Sequence, residues 1–73
     1  MTSVQAKERI ERHLLGKGYS RQQGPKHTYL VRADGSARYM LTSRTIKRQK
    51  RFEDGWVNVS PAASLIEVAK RLG

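Results

Sequence analysis

Cysteine is absent from the 73 residues, which excludes disulfides, thiolate metal sites and a cysteine nucleophile. Acidic residues are scarce, with 6 Asp plus Glu against 15 Lys plus Arg. Histidine occurs only at His13 and His27, too few and too far apart for a metal site, so no metal or other cofactor is expected. No run approaches the roughly 20 apolar residues needed to span a bilayer, and residues 1–9 lack the apolar stretch of a signal peptide. A cytoplasmic protein without a membrane role is the expectation. Internal repeats and low-complexity tracts are missing as well. What remains is enough for one domain, 1–73, with one small core, and 37% hydrophobic with 29% charged residues favours a folded chain over a disordered one.

The charge is what the chain has in excess: a formal +9 at pH 7 and a pI of about 10.7. Such a balance favours polyanions, with nucleic acid first and anionic membrane surface or an acidic protein as alternatives. A solvated basic surface with no partner is the bland reading. The positives cluster, however, in Arg44-Thr45-Ile46-Lys47-Arg48-Gln49-Lys50-Arg51, and that clustering favours phosphate contact.

Periodicity gives the architecture. Thr2 and Gln5 have capping-box spacing, and Ala6, Ile10, His13 and Leu14 share one helical face, which predicts a helix from about Val4 to Leu15. Gly16 and Gly18 offer a left-handed cap. An extended segment follows from Tyr19 to Gln23, then a turn at Gly24-Pro25. A strand runs from His27 to Ala33, with His27, Tyr29 and Val31 on one side and Thr28, Leu30 and Arg32 on the other. Asp34-Gly35 reads as a primed hairpin turn. The return strand, Ala37 to about Thr42, puts Tyr39 and Leu41 on one face and Arg38 and Met40 on the other. Asp54-Gly55 suggests a further hairpin pairing Phe52 with Val57 and Glu53 with Trp56, or else a mobile loop. Ser60-Pro61 reads as the start of a last helix, in which Leu65, Val68, Ala69 and Leu72 have i, i+3, i+4, i+7 spacing. The expected fold is α+β: a two-layer α-β-β-β-α domain with both helices on one face of an antiparallel sheet, plus an extra hairpin before the last helix.

Two families share that order. The double-stranded-RNA-binding domain carries a Gly-Pro-x-His turn, which Gly24-Pro25-Lys26-His27 resembles, but it also has a lysine cluster opening its last helix where this chain has Ser60-Pro61-Ala62-Ala63-Ser64. The fuller resemblance is to HicA-type toxins, small mRNA-cleaving proteins of toxin–antitoxin pairs with the same fold. It rests on Leu14-Leu15-Gly16-Lys17-Gly18-Tyr19, on Gly24-Pro25-Lys26-His27, on Asp34-Gly35 and on Leu65-Ile66-Glu67-Val68-Ala69-Lys70-Arg71-Leu72-Gly73. The stretch 43–60 departs from the family in being longer and far more basic.

What the HicA resemblance implies is an endoribonuclease with His27 as the catalytic residue and an antitoxin protein as partner. The chemistry is sound without metal: an imidazole removes the 2′-hydroxyl proton, and neighbouring cations stabilise charge on phosphorus. Lys26 and Arg44 are the candidate phosphate contacts beside His27. Lys47, Arg48, Lys50 and Arg51 are candidates to track an RNA backbone, with Trp56, Tyr29 or Tyr39 as planar faces for bases. Gly24 is the turn-former. The competing reading of His27 is structural, capping the hairpin beside Tyr29, and a non-catalytic nucleic-acid-binding module or a basic protein-binding module on the same scaffold are the alternative functions. His13 is read as a residue at the core edge, and Phe52 as core cover.

Overall fold

The computed structural model describes residues 1–72 and shows eight elements. Helix α1 spans Ser3–Gly16. Its start is the capping box: Thr2 Oγ1 accepts from the Gln5 N–H at 3.1 Å, and Gln5 Oε1 accepts from the Thr2 N–H at 2.9 Å. Its end is a Schellman motif built on Gly18 rather than Gly16. Gly18 takes φ 93° and donates to the Leu15 carbonyl, while the Tyr19 N–H reaches back to Leu14 O. Ala6, Ile10 and Leu14 form the buried stripe, with His13 half-buried beside them as expected.

The sheet is antiparallel in the order β1 (Ser20–Gln23), β2 (Thr28–Val31), β3 (Ala37–Leu41), β4 (Thr45–Phe52), β5 (Gly55–Asn58), and the short β6 (Ala63–Ser64) pairs with the start of β4. Helix α2, Leu65–Arg71, closes the chain and packs against α1. Both helices lie on one face, where they meet Leu30, Leu41 and Ile46; Leu30, Leu41, Leu65, Ala6 and Ala69 are completely shielded from solvent. Thr28 is equally buried, and its hydroxyl is satisfied by Gln23 Oε1 at 2.8 Å. Each fully buried Leu or Ile stabilises the fold by about 1.5–3 kcal/mol, so this handful supplies most of the driving force in a chain this short. Arg21, on the same side of β1, ties that edge strand to α1 through Glu11 at 3.1 Å.

Three local expectations are corrected. The β2–β3 turn is not of the primed type, because no non-glycine residue among those described has a positive φ, and a type I′ turn would require one at Asp34. Instead Gly35, at φ 75°, donates to the Arg32 carbonyl across Ala33-Asp34, and Asp34 Oδ1 accepts from Ser36 N and Oγ. The β4–β5 hairpin is real, but its loop is Glu53-Asp54: Phe52 pairs with Gly55 and Arg51 with Trp56. Gly55, at φ 118°, opens the return strand for the same reason, since Asp54 keeps a negative φ. Finally, Ser60-Pro61 does not start the last helix. Ser60 Oγ accepts from the Arg48 N–H, Ala63-Ser64 pairs with β4, and Ser64 is the N-cap, accepting from Glu67 N.

Candidate nucleic-acid interface

Alternation along the strands decides which side chains share the face away from the helices. Leu30 pairs with Tyr39, Leu41 with Ile46 and Tyr39 with Arg48, which fixes the covered side. Tyr29 and Val31, Arg38 and Met40, Lys47, Gln49 and Arg51, and Trp56 and Asn58 therefore stand on the other. Among the described residues no helix packs on that side.

Its centre is a column. The Arg38 guanidinium lies 4.0 Å from the centroid of the Tyr29 ring and 4.2 Å from that of the Trp56 ring, so the cation is held between two aromatic faces. Below Tyr29 is Gly24, where an added Cβ would sit 2.9 Å from Tyr29 Cε2 and 3.1 Å from the His27 carbonyl. Gly24 is thus required because the tyrosine ring packs on bare backbone, not because the turn needs a left-handed residue. The turn itself is Pro25-Lys26, flanked by a hydrogen bond from the Gly24 N–H to His27 O at 2.8 Å.

A polar ladder orients the guanidinium. Arg38 Nε donates to Gln49 Oε1 at 2.7 Å, and Gln49 Nε2 donates to Asn58 Oδ1 at 2.8 Å, linking β3, β4 and β5. Gln49 is 8% exposed and uses both ends of its amide. Because Gln49 must accept from Arg38, its nitrogen must face Asn58, whose Oδ1 accepts and whose amide N–H groups are not used in the ladder. Burial lowers Arg38 from the usual guanidinium range, offset in part by Tyr29, and the group stays charged at neutral pH. Arg38, Gln49 and Asn58 were not singled out by the sequence. The signal was there: Arg38 shares a face with Met40, and a β4 strand puts Gln49 between Lys47 and Arg51.

The basic run does not form one stripe. Lys47 and Arg51 belong to the open face, whereas Arg48 and Lys50 project on the helix side, exposed because the hairpin outruns the helices. Phe52 is on that side too and is 54% exposed, so it does not cover the core as expected; no helix reaches it. Tyr39 is likewise unavailable as a base platform, because it packs against Tyr19 with ring centroids 5.8 Å apart on the covered face. Trp56 is half-buried on the open face against Arg38.

His27 and Arg44 come to the same end of the sheet. Thr28 pairs with Leu41 and Leu41 with Ile46, so the 24–27 turn adjoins the tip of the β3–β4 hairpin, where Arg44 is exposed. That tip is locked by Thr42, whose Oγ1 accepts from the N–H groups of Arg44 and Thr45. Lys26 is exposed in the turn. His27 is half-buried, one residue before β2 and in phase with Tyr29, and its Nδ1 is enclosed without a hydrogen-bond partner. Among the described residues no cluster of His, Asp and Glu could hold a metal ion, and no helix is long and apolar enough to cross a membrane.

No family model, curated protein or solved structure matches this chain.

Proposed function

We propose that the protein acts on RNA in the cytoplasm and binds it on the open face of the sheet. The observation that carries this reading is the gathering of Arg38, Lys47 and Arg51 with two aromatic rings on a face that no helix covers, in a chain of net charge +9. Cations neutralise phosphates, and planar rings suit bases; a surface that served solubility alone would need neither the stack nor the buried ladder beneath it. An acidic protein partner would use the charge but leave the ring column without a purpose.

A second reading adds cleavage, as the resemblance to HicA-type toxins implies. It is favoured by the place of His27 at the rim of the same face, with Lys26 beside it and Arg44 at the same end. With Nδ1 enclosed, Nε2 is the working nitrogen. In the neutral Nε2–H tautomer it can donate a hydrogen bond to a phosphate oxygen. To act as base on the 2′-hydroxyl it must carry its proton on Nδ1, and to protonate the leaving 5′-oxygen it must be the imidazolium, with a proton on both nitrogens, so either proton transfer needs a proton on the enclosed Nδ1. An antitoxin covering this face belongs to the same reading.

The test is to incubate wild type and His27→Ala, without divalent metal, with a mixed pool of single-stranded and structured RNA. Retention by both proteins is the expected result of the binding reading, and cleavage by wild type alone is that of the second. Failure of either protein to retain RNA at low salt overturns the proposal.

A further inference from the structure

The column on the open face runs Tyr29–Arg38–Trp56, with the guanidinium over both rings and Trp56 as its outer member toward β5. Tyr29 has a ring edge, at Cε2 and Cδ2, against the Gly24 backbone and its face against Arg38; Trp56, half-buried, stacks on the same guanidinium, and among the described residues Arg38 is the one cation found over it. An aromatic ring already in a stack, at the end of it, presents a planar surface whose position is fixed in advance. A nucleobase that continues the stack gains dispersion and hydrophobic contact without ordering the platform.

The donors around that surface have a matching arrangement. The ladder Arg38–Gln49–Asn58 commits Arg38 Nε inward and leaves the outer edge of the guanidinium, together with the Asn58 amide N–H groups, as donors without acceptors inside the face. Arg51 is the direct cross-strand partner of Trp56, and Lys47 lies further along the same strand on the same side. A ring flanked by fixed donors and two flexible cations fits a nucleotide whose base is unpaired and whose phosphate is close by. It does not fit a duplex, in which both faces of every internal base are already stacked.

Resting on the RNA reading above, we infer that the protein selects single-stranded RNA, with an unpaired base stacked on Trp56 as the outer member of the Tyr29–Arg38–Trp56 column and its phosphates held by Arg51 and Lys47. Arg38 here is a positioning residue for Trp56 as well as a donor. Stacking on Trp56 accepts a base without reading its identity, since every base has a π-face.

Trp56 is the single tryptophan in the chain, so its fluorescence reports this site alone. The experiment titrates the full chain with a mixed-sequence 12-nucleotide RNA and, separately, with the blunt duplex of the same sequence. The expected result is quenching by the single strand, weak or no quenching by the duplex, and a loss of single-strand affinity of about tenfold in Trp56→Ala. Trp56→Phe keeps a ring and retains most of the affinity; should Trp56→Ala fail to fold, the quench and the Phe variant decide. Equal binding of both RNA forms with unchanged fluorescence overturns this inference while leaving the RNA reading intact. Absence of binding by either form removes both.

Discussion

The two faces of the six-stranded sheet are built from the same strands and obey opposite rules. On the covered face Leu30, Leu41 and Ile46 meet Ala6, Ile10, Leu14, Leu65 and Ala69 in an apolar core, with polar ties only toward β1, Thr28 to Gln23 and Arg21 to Glu11. On the open face a guanidinium is fixed by two rings and a buried glutamine, an arrangement that orders long side chains with little gain in stability. The difference teaches that strand alternation alone separates the core from the face proposed to bind RNA. Neighbours in sequence therefore belong to different jobs.

The largest effect expected from that division comes from adjacent residues in β2. Leu30→Ala, at a position with no solvent exposure, costs about 2–5 kcal/mol, enough to unfold much of a domain this small. Tyr29→Ala removes one side of the Arg38 stack, leaves the core intact and lowers RNA affinity by about tenfold. Urea melts and RNA titrations on the two variants check the separation. A Tyr29→Ala protein that unfolds as readily as Leu30→Ala breaks the comparison, because the open face would then be core.

Next in size is Gly24→Ala. The new methyl must push Tyr29 aside, at about 1–3 kcal/mol, and the displaced ring weakens RNA binding as well. Gly16→Ala is the control: nothing lies within 4 Å of its Cβ position and its φ is not left-handed, so the change is neutral or slightly stabilising. Equal behaviour of the two variants in thermal melts would show that Tyr29 is not seated on Gly24.

Smaller still is the contrast within β4. Lys47→Gln reduces the salt dependence of RNA binding by roughly one unit in the slope of log affinity against log salt, whereas Lys50→Gln, three residues on and facing the helix side, leaves it unchanged. Matching losses from both would mean that RNA follows the hairpin edge instead of the open face.

How far the sequence reaches can be judged on these same residues. Apolar periodicity predicts both helices and the two faces of β2 and β3, because burial is averaged over many positions. The capping box at Thr2 is equally legible, since both of its hydrogen bonds are local. The ends of elements are not. Ser60-Pro61 carries a stronger start signal than Ser64, yet β4 pairs with Ala63-Ser64 and Ser60 caps Arg48 instead, a long-range competition that no local rule contains. The Asp-Gly pairs mislead in a related way: each glycine follows its turn rather than sitting in the middle of it. The basic cluster of 44–51 is visible as composition, but its splitting between two faces appears only once the segment is known to be a strand. The column itself joins Gly24, Tyr29, Arg38 and Trp56 across four segments, and only the register brings them together.

The smallest effect is expected at a position that belongs to neither face. Asp34, in the β2–β3 turn, accepts from the Ser36 hydroxyl at 2.7 Å and its N–H at 2.9 Å and lies 3.5 Å from Arg32 Nε. The hydroxyl first, then the N–H, holds its carboxyl below the ordinary 3.8. A carboxylate whose pKa is lower folded than unfolded contributes stability that is fully present above the unfolded value and is lost as pH falls through the folded one. The contribution therefore operates at neutral pH, begins to fade as the pH falls past 3.8 and is lost as it falls through the lower folded value, and full solvent exposure keeps it small. Thermal melts of wild type and Asp34→Asn should differ slightly at pH 7 and draw together as the pH is lowered below 3.8, with identical RNA affinity at pH 7. Loss of RNA binding in Asp34→Asn would extend the interface to the turn and undo the assignment of recognition to the open face alone.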